Sequence, residues 1–89
     1  MNKQRRNELK KALELLERAN DLINEARDII EDIKSEEEEA YYNMPESLQN
    51  SDKGLANEEA REHLENASYI DIEDSILEMQ NEIEMAIEC

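Results

Sequence analysis

Residues 9–33 read LKKALELLERANDLINEARDIIEDI, and the spacing of their apolar positions decides the class of fold. Leu9, Ala12, Leu16, Ala19, Ile23, Ala26, Ile30 and Ile33 recur at alternating steps of three and four, which is the heptad seam of a left-handed helix pair. Ala40 continues the line after a polar position at Glu37. Leu15, Leu22 and Ile29 run beside it at a third heptad position, so the apolar stripe is wider than one partner helix covers. More than two helices are therefore expected to meet.

Neither Gly nor Pro precedes Pro45, so the first helix is free to run from about residue 2 to about residue 42. Pro45 ends it, because proline has no N–H to donate and holds the preceding residue extended. The connection spans residues 43–50, where Pro45 is placed to open a short helical turn through Glu46, Ser47, Leu48 and Gln49. Ser51 is the expected N-cap of a second helix over about 51–88, with Asp52 in its first turn against the helix dipole. Gly54 either weakens that first turn or delays the helix start.

The second helix has two apolar phases. Ala56, Ala60, Leu64, Ala67 and Ile70 share one side, while Tyr69, Ile72, Ile76, Met79, Ile83 and Ala86 follow a phase nearly opposite. Two readings stand open. The helix breaks near residues 67–72, with Ser68 or Asp71 capping a further segment, or it is continuous and its halves meet different neighbours. In either case the expected fold class is all-α, an antiparallel helical hairpin forming one domain over residues 1–89. A lone hairpin buries little, so dimerisation into a four-helix bundle is expected to complete it.

Charge supports the hairpin. Residues 1–11 carry five bases and one acid, and residues 71–88 carry seven acids and no base, so an antiparallel arrangement sets attracting ends side by side. The whole formal charge of −15 arises after residue 34, because residues 1–34 hold eight bases and eight acids. Such a surface repels phosphate, which argues against direct binding of nucleic acid or an anionic membrane. No signal sequence or membrane span is recognisable, and a cytoplasmic location in a bacterial host is expected. Cys89, the single cysteine, has no intramolecular disulfide partner.

The stretch Glu36-Glu37-Glu38-Glu39-Ala40-Tyr41-Tyr42-Asn43-Met44-Pro45-Glu46-Ser47-Leu48-Gln49, then Ser51-Asp52-Lys53-Gly54 and Glu58-Glu59-Ala60, resembles the centre of a group of small acidic helical proteins of Firmicutes and their phages. In that group the segment reads roughly EEEAF-NLPESLQ-S-E-R-G. The resemblance covers about residues 34–62 and departs in the last third, where this chain reads Ser68-Tyr69-Ile70-Asp71-Ile72-Glu73. It implies a helical fold and a bacterial or phage setting, and no activity.

Chemistry-bearing patterns are few. Glu59 and His63 share a helix face, but the Glu-x-x-His spacing of bundle metal sites is absent because Ala60 stands three before His63. Asp71, Glu73 and Asp74 lack the glycine of a calcium loop. Consecutive Glu36, Glu37, Glu38 and Glu39 diverge by 100° around a helix and form no paired-carboxylate site. No phosphate loop or nucleophile arrangement is present, so no enzyme activity, metal or cofactor is expected.

What remains is binding. The candidate partner-binding residues are the acids Glu36, Glu37, Glu38, Glu39, Glu58, Glu59, Glu62 and Glu65 and the turn residues Tyr41, Tyr42, Met44 and Leu48, which serve either as interface anchors or as a plug for the bundle end. Two functions follow. One is a DNA-mimic inhibitor of a basic nucleic-acid-binding protein, as in phage or mobile-element counter-defence, since B-DNA carries about one charge per 1.7 Å and a carboxylate-rich helix approaches that density. The other is a structural or adaptor bundle that binds a protein through its turn residues and second apolar stripe, with acidity serving solubility alone.

Overall fold

The computed structural model describes residues 1–89 and is entirely helical: α1 (Lys3–Tyr42), α2 (Glu46–Gln49), α3 (Asp52–Ser68) and α4 (Glu73–Glu88). Asn2 starts α1, its Oδ1 accepting the Arg5 N–H at 2.8 Å and so satisfying one of the helix's orphan donors. At the other end the Asn43 and Met44 N–H groups still reach the carbonyls of Glu39 and Tyr41, and Pro45 stops the run. The Pro45 carbonyl then accepts the N–H groups of Leu48 and Gln49, which makes the single turn of α2. Pro45 thus precedes the first helical residue of α2 instead of occupying it.

Ser51 precedes α3 with extended backbone, as an N-cap does, but its hydroxyl donates back to the Leu48 carbonyl and caps nothing. Gly54 lies inside the first turn of α3. A Cβ built there would stand 2.0 Å from the Gln49 carbonyl oxygen and 2.6 Å from that of Leu48, so α2 and α3 meet backbone to backbone at this glycine.

The second helix is broken. α3 ends at Ser68, whose hydroxyl bonds the Glu65 carbonyl, and α4 begins at Glu73 after four non-helical residues. Asp71 caps the new segment, its Oδ1 accepting the Asp74 N–H at 3.1 Å. The break accounts for the two phases in the sequence. The half-buried or buried line of α3 is Gly54, Asn57, Arg61, Leu64 and Ser68, and that of α4 is Glu73, Ile76, Gln80, Ile83 and Ile87. Each keeps heptad spacing, and the line of α4 starts two residues later than a continuation would place it.

Asp74 pays for its position beside the cap. A hydrogen bond to Asp71 raises its pKa above the ordinary 3.8, followed by the Asp71 charge, local desolvation and the Glu73 charge. The folded chain therefore holds this proton more tightly than the unfolded chain. The stability it contributes is complete below 3.8 and is lost as pH rises through the raised value. Asp74→Asn is expected to raise the thermal midpoint at neutral pH and to flatten its acid-range pH dependence relative to wild type.

Two compact units are present, Met1–Asn24 with Asp71–Cys89, and Glu25–Ile70. In the first, the basic start of the chain and acidic α4 belong to one compact unit. In the second, α1 and α3 run antiparallel: Arg27 Nη2 donates to the Ile70 carbonyl at 2.8 Å, Lys34 Nζ lies 3.9 Å from Glu65 Oε1, and Asn57 reaches Glu37. The hairpin read from the sequence is present.

The seam itself differs from expectation. Along α1 the half-buried line is Arg6, Leu9, Leu13, Leu16, Asn20, Ile23, Arg27, Ile30, Lys34, Glu37 and Tyr41, whereas Ala26, Ile33 and Ala40 of the expected seam are exposed. Ala56, Ala60, Ala67 and Ile70 of α3 are exposed as well, and so are Tyr69, Ile72 and Met79 of the later stripe. Arg27, Lys34 and Glu37 take inner positions with heads that find partners across the seam, whereas Arg6 Nε and Asn20 Oδ1 are buried there without a hydrogen-bond partner. No apolar side chain is buried anywhere in the chain, and Asn57, 7% exposed, is its one buried polar side chain. No helix is long and apolar enough to cross a membrane.

Candidate functional site

The turn end is held by a polar chain of contacts. Asn57 Nδ2 donates to the Glu37 carbonyl at 3.0 Å and to Glu37 Oε2 at 2.7 Å, and Asn57 Oδ1 accepts from Arg61 Nε at 2.8 Å. The Arg61 guanidinium lies 4.5 Å above the Tyr41 ring, and Tyr41 meets Tyr42 edge to face at 5.5 Å. Gln49 Nε2 donates to the carbonyls of both Tyr41 and Met44, tying α2 to the end of α1.

This network sorts the candidate residues. Glu37, Tyr41 and Met44 are half-buried and hold the turn, so they belong to the plug. Tyr42 and Leu48 remain exposed. Glu36, Glu38, Glu39, Glu58, Glu59, Glu62 and Glu65 are all exposed. Glu38 of α1 and Glu58, Glu62 and Glu65 of α3 share a shallow depression with Lys34 and Arg61. Glu59 lies 3.9 Å from His63 with both side chains in solvent, and no group of three potential metal ligands comes together.

On another side of α3, Ile33, Ala40, Met44, Ala56, Ala60 and Leu64 line an open apolar groove between α1 and α3. No family model matches this chain, and no curated protein and no solved structure matches it. The reading of the site rests on its own geometry.

Asn57 and Arg61 are the residues the sequence reading passed over. Their signal was present, since Gly54, Asn57, Arg61, Leu64 and Ser68 keep a three-four spacing, but a seam sought among apolar residues alone does not reveal it. Asn57→Ala is expected to destabilise by about 2–3 kcal/mol, because it strands a half-buried carboxylate and the Arg61 Nε–H together. Chemical denaturation followed by tyrosine near-ultraviolet dichroism checks it.

Proposed function

We propose that this chain is a non-enzymatic protein-interaction module that acts as a dimeric four-helix bundle and offers its exposed carboxylates to a basic partner. The observation that carries the reading is that Glu58, Glu59, Glu62 and Glu65, with Glu36, Glu38 and Glu39, remain in solvent while Glu37 alone of the set is drawn into the hydrogen-bond network. Glu65 lies 3.9 Å from Lys34 and Glu59 lies 3.9 Å from His63, but all seven carboxylates keep solvent access and are available to a second molecule. A partner that ordinarily grips phosphates presents the complementary field, so the module acts as a DNA-mimic-type inhibitor in the cytoplasm of a bacterial host. The resemblance to acidic proteins of Firmicutes and their phages supports a bacterial or phage setting, in which counter-defence is the proposed role.

The adaptor reading is favoured by a separate observation, the exposed Tyr42, Leu48 and Leu55 near the turn and Leu77, Met79 and Met85 on α4. Salt separates the two. A mimic's complex weakens steeply with ionic strength, and an apolar one does not.

The test is capture from a Firmicutes lysate on the tagged chain at low and high salt, with retained proteins identified by mass spectrometry. The expected result is a nucleic-acid-binding protein displaced by high salt or by competitor DNA. With that partner purified, changing Glu58, Glu59, Glu62 and Glu65 together to Gln should weaken binding about 30-fold, at about 0.5 kcal/mol per exposed pair. A partner indifferent to salt and to the four substitutions would replace the mimic with the adaptor.

A further inference from the structure

Leu9, Leu16, Ile23 and Ile30 of the expected seam of α1 pack inside the hairpin, and the flanking line of Leu15, Leu22 and Ile29 is left facing solvent. Leu15, Leu22 and Ile29 are 59%, 61% and 63% exposed, and Ala26 and Ile33 lie exposed beside them on the same continuous helix. With the half-buried Ala12 and Ala19 at its edge, these residues repeat at steps of three and four, a second heptad line alongside the one that packs inside the hairpin.

We infer that this face of α1 is the contact with a second copy of the chain, the two α1 helices packed antiparallel with residue 19 of one level with residue 22 of the other. The inference specifies the dimer of the proposed function and rests on that part of it.

The register follows from size and charge. It sets a small residue opposite a large one in each central layer, Ala19 against Leu22, Ala12 against Ile29 and Ala26 against Leu15, so the helices approach closely without voids. Beyond these layers it sets Arg5 opposite Glu36.

The edge of the face is graded in charge, with Lys11 and Arg18 toward the start and Glu25 and Asp32 toward the end, all four exposed. In the same register Arg18 meets Glu25 of the second copy and Lys11 meets Asp32. Lys11 has only an exposed contact with Glu8 at 3.3 Å to relinquish or share. A parallel pair would oppose Arg5 to Arg5 and Glu36 to Glu36, and would alternate all-alanine with all-leucine layers. Charge and packing both reject it.

The test uses the full chain carrying Cys89→Ser, so that the native thiol is out of play. Ala12→Cys and Ile29→Cys proteins are prepared separately, mixed and brought to equilibrium in a thiol–disulfide buffer. The expected result is a mixed disulfide between the two variants in large excess over either homodisulfide, since the antiparallel register alone brings these positions face to face. A homodisulfide of Ala12→Cys would make the pair parallel and overturn the inference while leaving the dimer. The same holds for a sedimenting dimer that forms no disulfide. A monomer in sedimentation would remove the dimer itself.

A second pair of variants needs no thiol. Lys11→Glu with Arg18→Glu in one chain should weaken self-association at least tenfold at low salt, and so should Glu25→Lys with Asp32→Lys in another. Mixing them should restore it as a heterodimer. Failure of the mixture to associate would contradict the register.

Discussion

Leu15→Glu combined with Leu22→Glu is expected to turn the protein into a monomer that no longer unfolds cooperatively. Each leucine occurs twice in a symmetric pair, so four side chains leave the interface. At about 1.5 kcal/mol each, association weakens by about 6 kcal/mol, or about four orders of magnitude, before any cost of placing carboxylates against apolar neighbours is counted. The loss reaches the fold as well, because a single copy contains no buried apolar side chain to stand in for the missing contacts. Both substitutions are compatible with an isolated helix, since Glu is a good helix former. Far-ultraviolet dichroism should therefore retain partial helicity while the thermal transition broadens and the sedimenting mass falls to that of one chain. A variant that kept the wild-type transition would show that the face is solvated in the working protein.

Gly54→Ala is the second large effect, and its sign is opposite to the usual one. In an exposed helical turn the change stabilises by about 1 kcal/mol, because alanine has less backbone freedom to lose. Here the new Cβ would meet the carbonyl oxygens of Gln49 and Leu48 at 2.0 and 2.6 Å, and the obstacle is backbone, which has no rotamer to change. α2 and α3 must separate, taking with them the Gln49 hydrogen bonds to Tyr41 and Met44. A net destabilisation of about 2–3 kcal/mol is expected, in line with other overpacked sites. Denaturant midpoints of the two proteins measure it. Gly54→Ala at or above wild-type stability would mean that the two helices stand further apart.

Much of the fold was legible in the residues, for identifiable reasons. Asn2, Pro45 and the lack of glycine between them delimit α1, because caps and breakers act through local backbone chemistry. The phase switch near residues 67–72 left a break and a continuous helix both open; the structure has the break, and Asp71, one of the two caps named for it, holds the Asp74 N–H. The antiparallel pairing followed from opposite charge at the two ends of the chain.

The inner face was not legible in the same way. Periodicity gives the angle between apolar residues but not which of two adjacent lines the partner helix covers. That choice falls to Asn57, Arg61, Arg27 and Glu37, whose pairing across 20 to 43 residues of sequence no local pattern encodes. Of the candidate site, the acids are exposed except Glu37, which is drawn into the network with Asn57. The turn cluster divided, with Tyr41 and Met44 turned inward and Tyr42 and Leu48 outward. Adjacent tyrosines on one helix differ by 100°, so one can stack under an arginine only if the other faces elsewhere.

The most direct measurement is sedimentation equilibrium of the Cys89→Ser chain from sub-micromolar to high-micromolar concentration, with thermal unfolding recorded on the same samples. If a second copy completes the core, the mass approaches twice 10.4 kDa and the unfolding midpoint climbs with concentration. A mass of 10.4 kDa throughout, with a sharp midpoint indifferent to concentration, would contradict the account and leave the outward face of α1 without an occupant.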